Sequence, residues 1–267
     1  MLMRQHAIEW LSVLGMLCLA AVSETFTPFF REFSLSDITI QHPFTEVEMI
    51  PNQLCLIIAV FFPAIVIAIY IALISVNKNR LKLMEISLLG LFISVGFNIF
   101  VTNVFKVWIG RPRPDFLARC IPAEGTPLDR YVSVKVCTGF KSRVIEGFKS
   151  TPSGHSSTSF SGLLYLSFFL VGQLRTTWPG VEIYKSFIAF VPTLIAFLIA
   201  LSRTEDYRHH FIDVILGSIL GSMIAWFSYR KYFPSVLDTK SDLPYDIDSE
   251  TVDIHLDNRN PSPGLLV

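Results

Sequence analysis

Apolar residues along this chain gather into long blocks instead of recurring every second or every third to fourth position. Six blocks stand out, at 7–23, 54–76, 83–105, 156–174, 183–201 and 211–229. Each approaches the ~20 residues that a helix needs to cross a hydrocarbon layer. The block 54–76 runs its whole length without a charge, which a soluble helix packed on one face does not do. Pro63 and Pro192 fall inside two blocks. Kinks there are tolerable because neighbouring helices satisfy the freed carbonyls. The pattern predicts an all-α, polytopic membrane protein: residues 1–233 form a bundle of six transmembrane helices, with the lipid bilayer as its partner.

Composition agrees and narrows the picture. Of 267 residues, 51% are hydrophobic and 16% charged, against about a quarter charged in an ordinary soluble domain. The formal net charge is zero, so no nucleic-acid partner is expected. The first block could be a cleaved secretory signal, with Arg4 before it and the small residues Ala21 and Ser23 behind it. It is read instead as an uncleaved span, since six spans place both termini on one side and its basic flank is weak. From about 234 the chain turns polar and acidic, with Asp, Ser and Pro and no periodicity. Residues 234–267 are therefore expected to be a disordered cytosolic tail.

Alternating spans place three loops on one face, at 24–53, 106–155 and 202–210. By count those loops are the more basic, but their Lys and Arg look committed to a site. The tight turn holding Lys78, Arg80 and Lys82 is the cleaner guide under the positive-inside tendency. It puts the termini in the cytosol and the three loops in a lumen or outside. Cys18 and Cys55 lie in spans as packed thiols. Cys120 and Cys137 flank a polar loop, and either close a disulfide on an extracytoplasmic face or remain free. The one Asn-x-Ser candidate is Asn260, and Pro261 behind it blocks glycosylation.

Three motifs carry candidate chemistry. In the first, Lys106 on the last turn of the third span precedes Arg113-Pro114, with Gly110, Pro112 and Pro114 ending the helix. Two fixed cations at a membrane surface suit a dianionic phosphate, although such residues also snorkel to lipid head groups. In the second, Pro152-Ser153-Gly154-His155 stands directly before the fourth span. Exposed amides there favour an anion, Ser153 adds a hydroxyl, Gly154 permits close approach, and His155 stands beside whatever is held. The third is Ser202-Arg203, five residues, His209, three residues, Asp213. A spacing of four puts His209 and Asp213 on one helical face. Asp213 is expected to accept a proton from one ring nitrogen of His209 and leave the other free as a nucleophile. Arg203 adds a third cation. No carboxylate cluster of metal-site type accompanies them, so neither a metal nor another cofactor is expected.

The three motifs, in this order, resemble the type-2 phosphatidate phosphatase superfamily. The flanks Trp108 to Phe116, Arg119-Cys120 and Arg203 to His210 are similar to eukaryotic lipid phosphate phosphatases, and most of all to the fungal diacylglycerol pyrophosphate phosphatase group. The resemblance covers roughly residues 24–230. It implies a magnesium-independent hydrolase of diacylglycerol pyrophosphate, phosphatidate and lysophosphatidate. His209 would be the nucleophile that forms a phosphohistidine, Asp213 the residue that orients it, and His155 the acid for the leaving group. Lys106, Arg113, Ser153, Gly154 and Arg203 would hold phosphate. His210, next to the nucleophile, is read as structural or interfacial. The alternatives are a phosphatase for polyprenyl or sphingoid-base phosphates, and an anion transporter. A vanadate-dependent oxidase, which shares the signature, fits poorly with the spans. The expected location is the endomembrane system (vacuole, Golgi or endoplasmic reticulum) or the plasma membrane, with the site on the lumenal or extracytoplasmic face.

Overall fold

A computed structural model describes residues 7–75, 77 and 79–245. Arg4, Lys78 and residues 246–267 lie outside these, and with them the basic flank of the first block, one of the three cations used above to orient the chain and most of the polar tail. Among the described residues the chain is all-helical, with two isolated bridges, Phe33 to Val132 and Pro122 to Cys137. The long helices are α1 (Ala7–Glu24), α2 (Asn52–Ile74), α3 (Arg80–Ile109), α6 (154–173), α7 (Ile183–Glu205) and α8 (Phe211–Tyr232), with the short α4 (Phe116–Cys120) and α5 (Lys141–Gly147) between α3 and α6.

Five of the long helices, α1, α2, α3, α7 and α8, are long and apolar enough to cross a membrane. The expected sixth span exists as the continuous helix α6, but it does not share their character. Its first six residues read Gly-His-Ser-Ser-Thr-Ser, too polar for lipid, and Ser156, Ser157 and Ser159 are fully buried within the bundle. The neighbouring helices satisfy its hydroxyls. Thr102 of α3 meets Ser157 at 2.9 Å, Ser94 donates to the Ser161 carbonyl, and Thr193 of α7 meets Ser167 at 2.8 Å. Small residues let α8 close in on α6: a Cβ at Gly217 or Gly221 would overlap the carbonyl oxygens of Ser153 and Ser157. The helix that begins at the site is thus the axle of the bundle, and the outer helices carry the lipid-facing surface. Phe187, Phe190, Phe197, Met223, Trp226 and Phe227 are all exposed there, an apolar surface that water would not tolerate.

The loops at the α6 N-terminal end build a lobe with its own small core of Phe33, Ile40, Phe116, Val132, Val144 and Phe148. The rings of Phe33, Phe116 and Phe148 pack edge to face at 4.5–6.4 Å. A Cys120–Cys137 disulfide closes the lobe. At the opposite end of the ~30 Å length of α6, the first part of the polar tail departs from the expected disorder. Residues 234–245 turn back onto the bundle, where Asp242 pairs with Arg175 at 2.7 Å and its carbonyl accepts from Gln173 at 2.8 Å. Composition reads those charges as solvated, but here they have specific partners in the α6–α7 connection.

Candidate active site

A cavity of about 510 Å3 opens where the ends of α1, α3 and α7 meet the starts of α2 and α6. Lys106, Arg113, Gly154, His155, Arg203 and His209, drawn from all three motifs, line it. Two expected site residues do not. Ser153 and Asp213, both fully buried, stand behind the wall. Ser153 caps α6: its Oγ accepts from the Ser156 amide at 3.4 Å and from the Ser156 hydroxyl at 2.9 Å. At Gly154 a Cβ would lie 3.2 Å from the Lys106 ammonium nitrogen. The start of the helix and the cation can therefore face the same space.

The expected hydrogen bond between His209 and Asp213 is absent, and the reason is local. Helix α8 begins at Phe211 with His210 as its cap, so His209 precedes the helix and the four-residue face rule does not reach it. Asp213 instead closes a capping box. Its Oδ2 accepts from the His210 amide at 3.0 Å and from His210 Nδ1 at 3.1 Å. The same carboxylate accepts from Ser150 Oγ at 2.6 Å, from Thr151 Oγ1, and from Arg111 at 2.9 Å. His209 Nδ1 lies 2.7 Å from the carbonyl oxygen of Ser150. A carbonyl only accepts, so Nδ1 carries the proton and Nε2 keeps its lone pair. A backbone carbonyl, not the Asp213 carboxylate, sets the tautomer. Asp213 reaches His209 through its neighbours, holding the Ser150 hydroxyl and the His210 amide.

His209 Nε2 faces Arg113 at 3.5 Å. Burial, and then the charges of Arg113, Lys106 and Arg203, push the His209 pKa well below its ordinary 6.5, so the imidazole is neutral at physiological pH. Arg113 donates through Nε to the Glu146 carbonyl at 2.9 Å and through Nη1 to the Arg208 carbonyl at 3.2 Å. Burial and the nearby Arg119 draw its pKa down to about 10, which still leaves it cationic. His155 lies 2.9 Å through Nε2 from the Ile50 carbonyl. That nitrogen is accordingly a donor, and Nδ1 is the one left over.

Sequence reasoning missed part of the wall. Arg119 and Arg208 also line the cavity, for five basic side chains in all, facing Glu24, Glu48 and Glu146. The two arginines share Asp115: Arg119 grips it with two bonds of 2.8 and 2.7 Å, and Arg208 reaches it at 3.2 Å. The guanidinium groups of Arg119, Arg143 and Arg208 all lie within 4.8 Å of the Phe44 ring centroid. The available signal was the density of arginine in 111–119 and 203–208, beyond what the motif needs. Ser150 and Thr151 left none, because one of the contacts that matters is made by a backbone carbonyl. Among the described residues, no group of three or more His, Cys, Asp or Glu side chains is arranged to hold a metal.

Fold and site together define a class: a helical membrane protein that gathers fixed cations around a buried, neutral histidine at one end of its bundle. Comparison with known proteins gives that class a family. A family model described as the PAP2 superfamily matches residues 87–236, more than half of the chain, and the chain belongs to that superfamily. It is 47% identical to diacylglycerol pyrophosphate phosphatase 1 of Saccharomyces cerevisiae, over 79% of this chain and 74% of that one. It is 41% identical to a probable diacylglycerol pyrophosphate phosphatase 1 of Schizosaccharomyces pombe, over 85% and 82%. It is also 37% identical to lipid phosphate phosphatase 2 of Arabidopsis thaliana, over 88% and 80%. No solved structure matches it at a significant level.

Proposed function

We propose that this protein is a lipid phosphate phosphatase that removes the terminal phosphate of diacylglycerol pyrophosphate and also hydrolyses phosphatidate and lysophosphatidate. One observation carries the reading. A buried histidine keeps its Nε2 lone pair in a cavity lined by five basic side chains, at the end of a membrane bundle. Nε2 of His209 attacks phosphorus while the bond to the leaving oxygen breaks; His155, whose Nε2 proton rests on the Ile50 carbonyl, takes a proton at Nδ1 from the incoming phosphate monoanion and passes it to that oxygen. Water then attacks the phosphohistidine and yields its proton to His155. Lys106, Arg113 and Arg203 neutralise the equatorial oxygens throughout. Asp213 is a positioning residue, holding Ser150 against His209. With positive charge supplied by side chains, magnesium has no assigned task.

The disulfide beside the site supports a lumenal or extracytoplasmic face, and Arg80 and Lys82 at the far end of α3 support a cytosolic opposite face. Both support a location in the endomembrane system or the plasma membrane, with residues 1–233 proposed as the catalytic unit. The test is phosphate release by purified protein from these lipids with and without EDTA. Release unchanged by the chelator is expected. No release, or release that requires magnesium, would overturn the proposal.

A further inference from the structure

Above the cavity, residues 42–51 form a roof, and one of its side chains is an anion placed on phosphate-binding groups. The Glu48 carboxylate bridges two arginines, with Oε2 at 2.9 Å from Arg203 and Oε1 at 3.0 Å from Arg208. Both guanidinium groups line the cavity, and both side chains are more than nine-tenths buried, at 2% and 8% exposure. Their Nε atoms are buried and have no hydrogen-bond partner among the described residues. A buried guanidinium with an unspent donor has unused capacity for an acceptor. A carboxylate held across two guanidinium groups is in the arrangement that phosphoryl oxygens take.

We infer that Arg208, which fills an unspecified position of the third motif, joins Arg203 in a phosphoryl-oxygen clamp, and that Glu48 is the internal anion that substrate phosphate displaces from it. The inference rests on the phosphatase reading of this same site. Glu48 is not what holds the roof down. Thr45 Oγ1 and the Met49 amide both bond Asp206, the Ile50 carbonyl accepts from Arg203 and lies on His155, Arg208 donates to the Thr45 carbonyl, and the His42 ring stacks on Tyr207 at 4.4 Å. The carboxylate is also the more replaceable partner, being 24% exposed while the arginines are not. A residue that competes with the ligand and one that orients the clamp for it predict opposite signs when the carboxylate is removed.

The test measures binding of radiolabelled inorganic phosphate by equilibrium dialysis, using the full chain in detergent. Glu48→Gln and Glu48→Ala are each expected to bind phosphate at least fivefold more tightly than wild type. Arg208→Gln is expected to bind at least tenfold more weakly, and adding Glu48→Gln to it should change binding less than twofold. Unchanged or weaker binding by both Glu48 variants, wild-type affinity in Arg208→Gln, or no phosphate binding by any of the proteins overturns the inference. Should Arg208→Gln fail to fold, the Glu48 pair decides alone, because the roof backbone is tethered without that carboxylate. A wild type that releases phosphate from lipids while its Glu48 variants bind no better sinks only this inference. The expected order of binding in a protein that hydrolyses no lipid phosphate sinks the function proposed above.

Discussion

The two histidines of the cavity are held by different kinds of structure. On one side, His209 rests on the Ser150 carbonyl, and Ser150 belongs to a buried network in which the Asp213 carboxylate accepts from four residues. None of Ser150, Thr151, Arg111, His210 and Asp213 lines the cavity. On the other side, His155 and Arg203 lean on the roof, where Ile50 offers a carbonyl and Glu48 a partly exposed carboxylate. The first half is fixed by protein alone, and the second is held by contacts a substrate can exchange. A saturated network fixes the geometry of the nucleophile before substrate arrives, whereas an exchangeable one lets the phosphate-binding wall answer to its occupant.

The comparison breaks most sharply at His209. His209→Ala is expected to lower lipid phosphate release by about 10^4-fold or more, measured as kcat/KM on mixed micelles. His155→Ala should still accumulate a phosphoenzyme when given a substrate with a good leaving group. Next in size is the buried network. Asp213→Asn is expected to cost about 100-fold in kcat with little change in KM, as losses among groups that orient a reacting residue do. Ser150→Ala removes only the hydroxyl and keeps the carbonyl on His209, so about tenfold is expected. Equal losses in the two variants would mean that Asp213 acts through that hydroxyl alone, whereas the larger loss expected for Asp213→Asn reflects its further bonds to Thr151, Arg111 and His210.

Smaller effects test the electrostatics and the lobe. His209 has a folded pKa below its ordinary 6.5, so it keeps its lone pair as pH falls through 6.5. The acid limb of kcat/KM assigned to His209 therefore lies below pH 6.5. An acid limb at or above 6.5 that His209 is shown to cause would contradict the burial argument. By linkage the unfolded chain takes up this proton first. The contribution of His209 to stability is unimpaired above pH 6.5 and declines as pH falls from there toward the folded value. Least affected should be activity at 25 °C in Cys120→Ser. The 17-residue loop that the disulfide closes is worth about 3 kcal/mol to the lobe, so the loss should show in thermal inactivation, with activity before heating within twofold of wild type.

Much of this architecture was legible in the sequence because burial in lipid demands long apolar helices and phosphate demands cations. The blocks located α1, α2, α3, α7 and α8, and the motif spacings brought Lys106, Arg113, Gly154, His155, Arg203 and His209 to one cavity. What failed to read through were effects that depend on where a helix starts and on what surrounds it. The spacing of His209 and Asp213 implied a shared face, but the helix begins between them. The block 156–174 read as one more span like the others, but the partners of its hydroxyls on α3 and α7 make it a central helix. Glu48 carried no signal, since its meaning comes from two arginines more than 150 positions away.

The most direct test of the central claim is to quench the purified protein during turnover of diacylglycerol pyrophosphate labelled in its terminal phosphate and to map the labelled residue. Label that is stable to base, labile to acid and confined to His209 is the predicted result. Label on His155, on His210 or on any serine, or turnover with no labelled protein under conditions that slow the second step, would contradict the account.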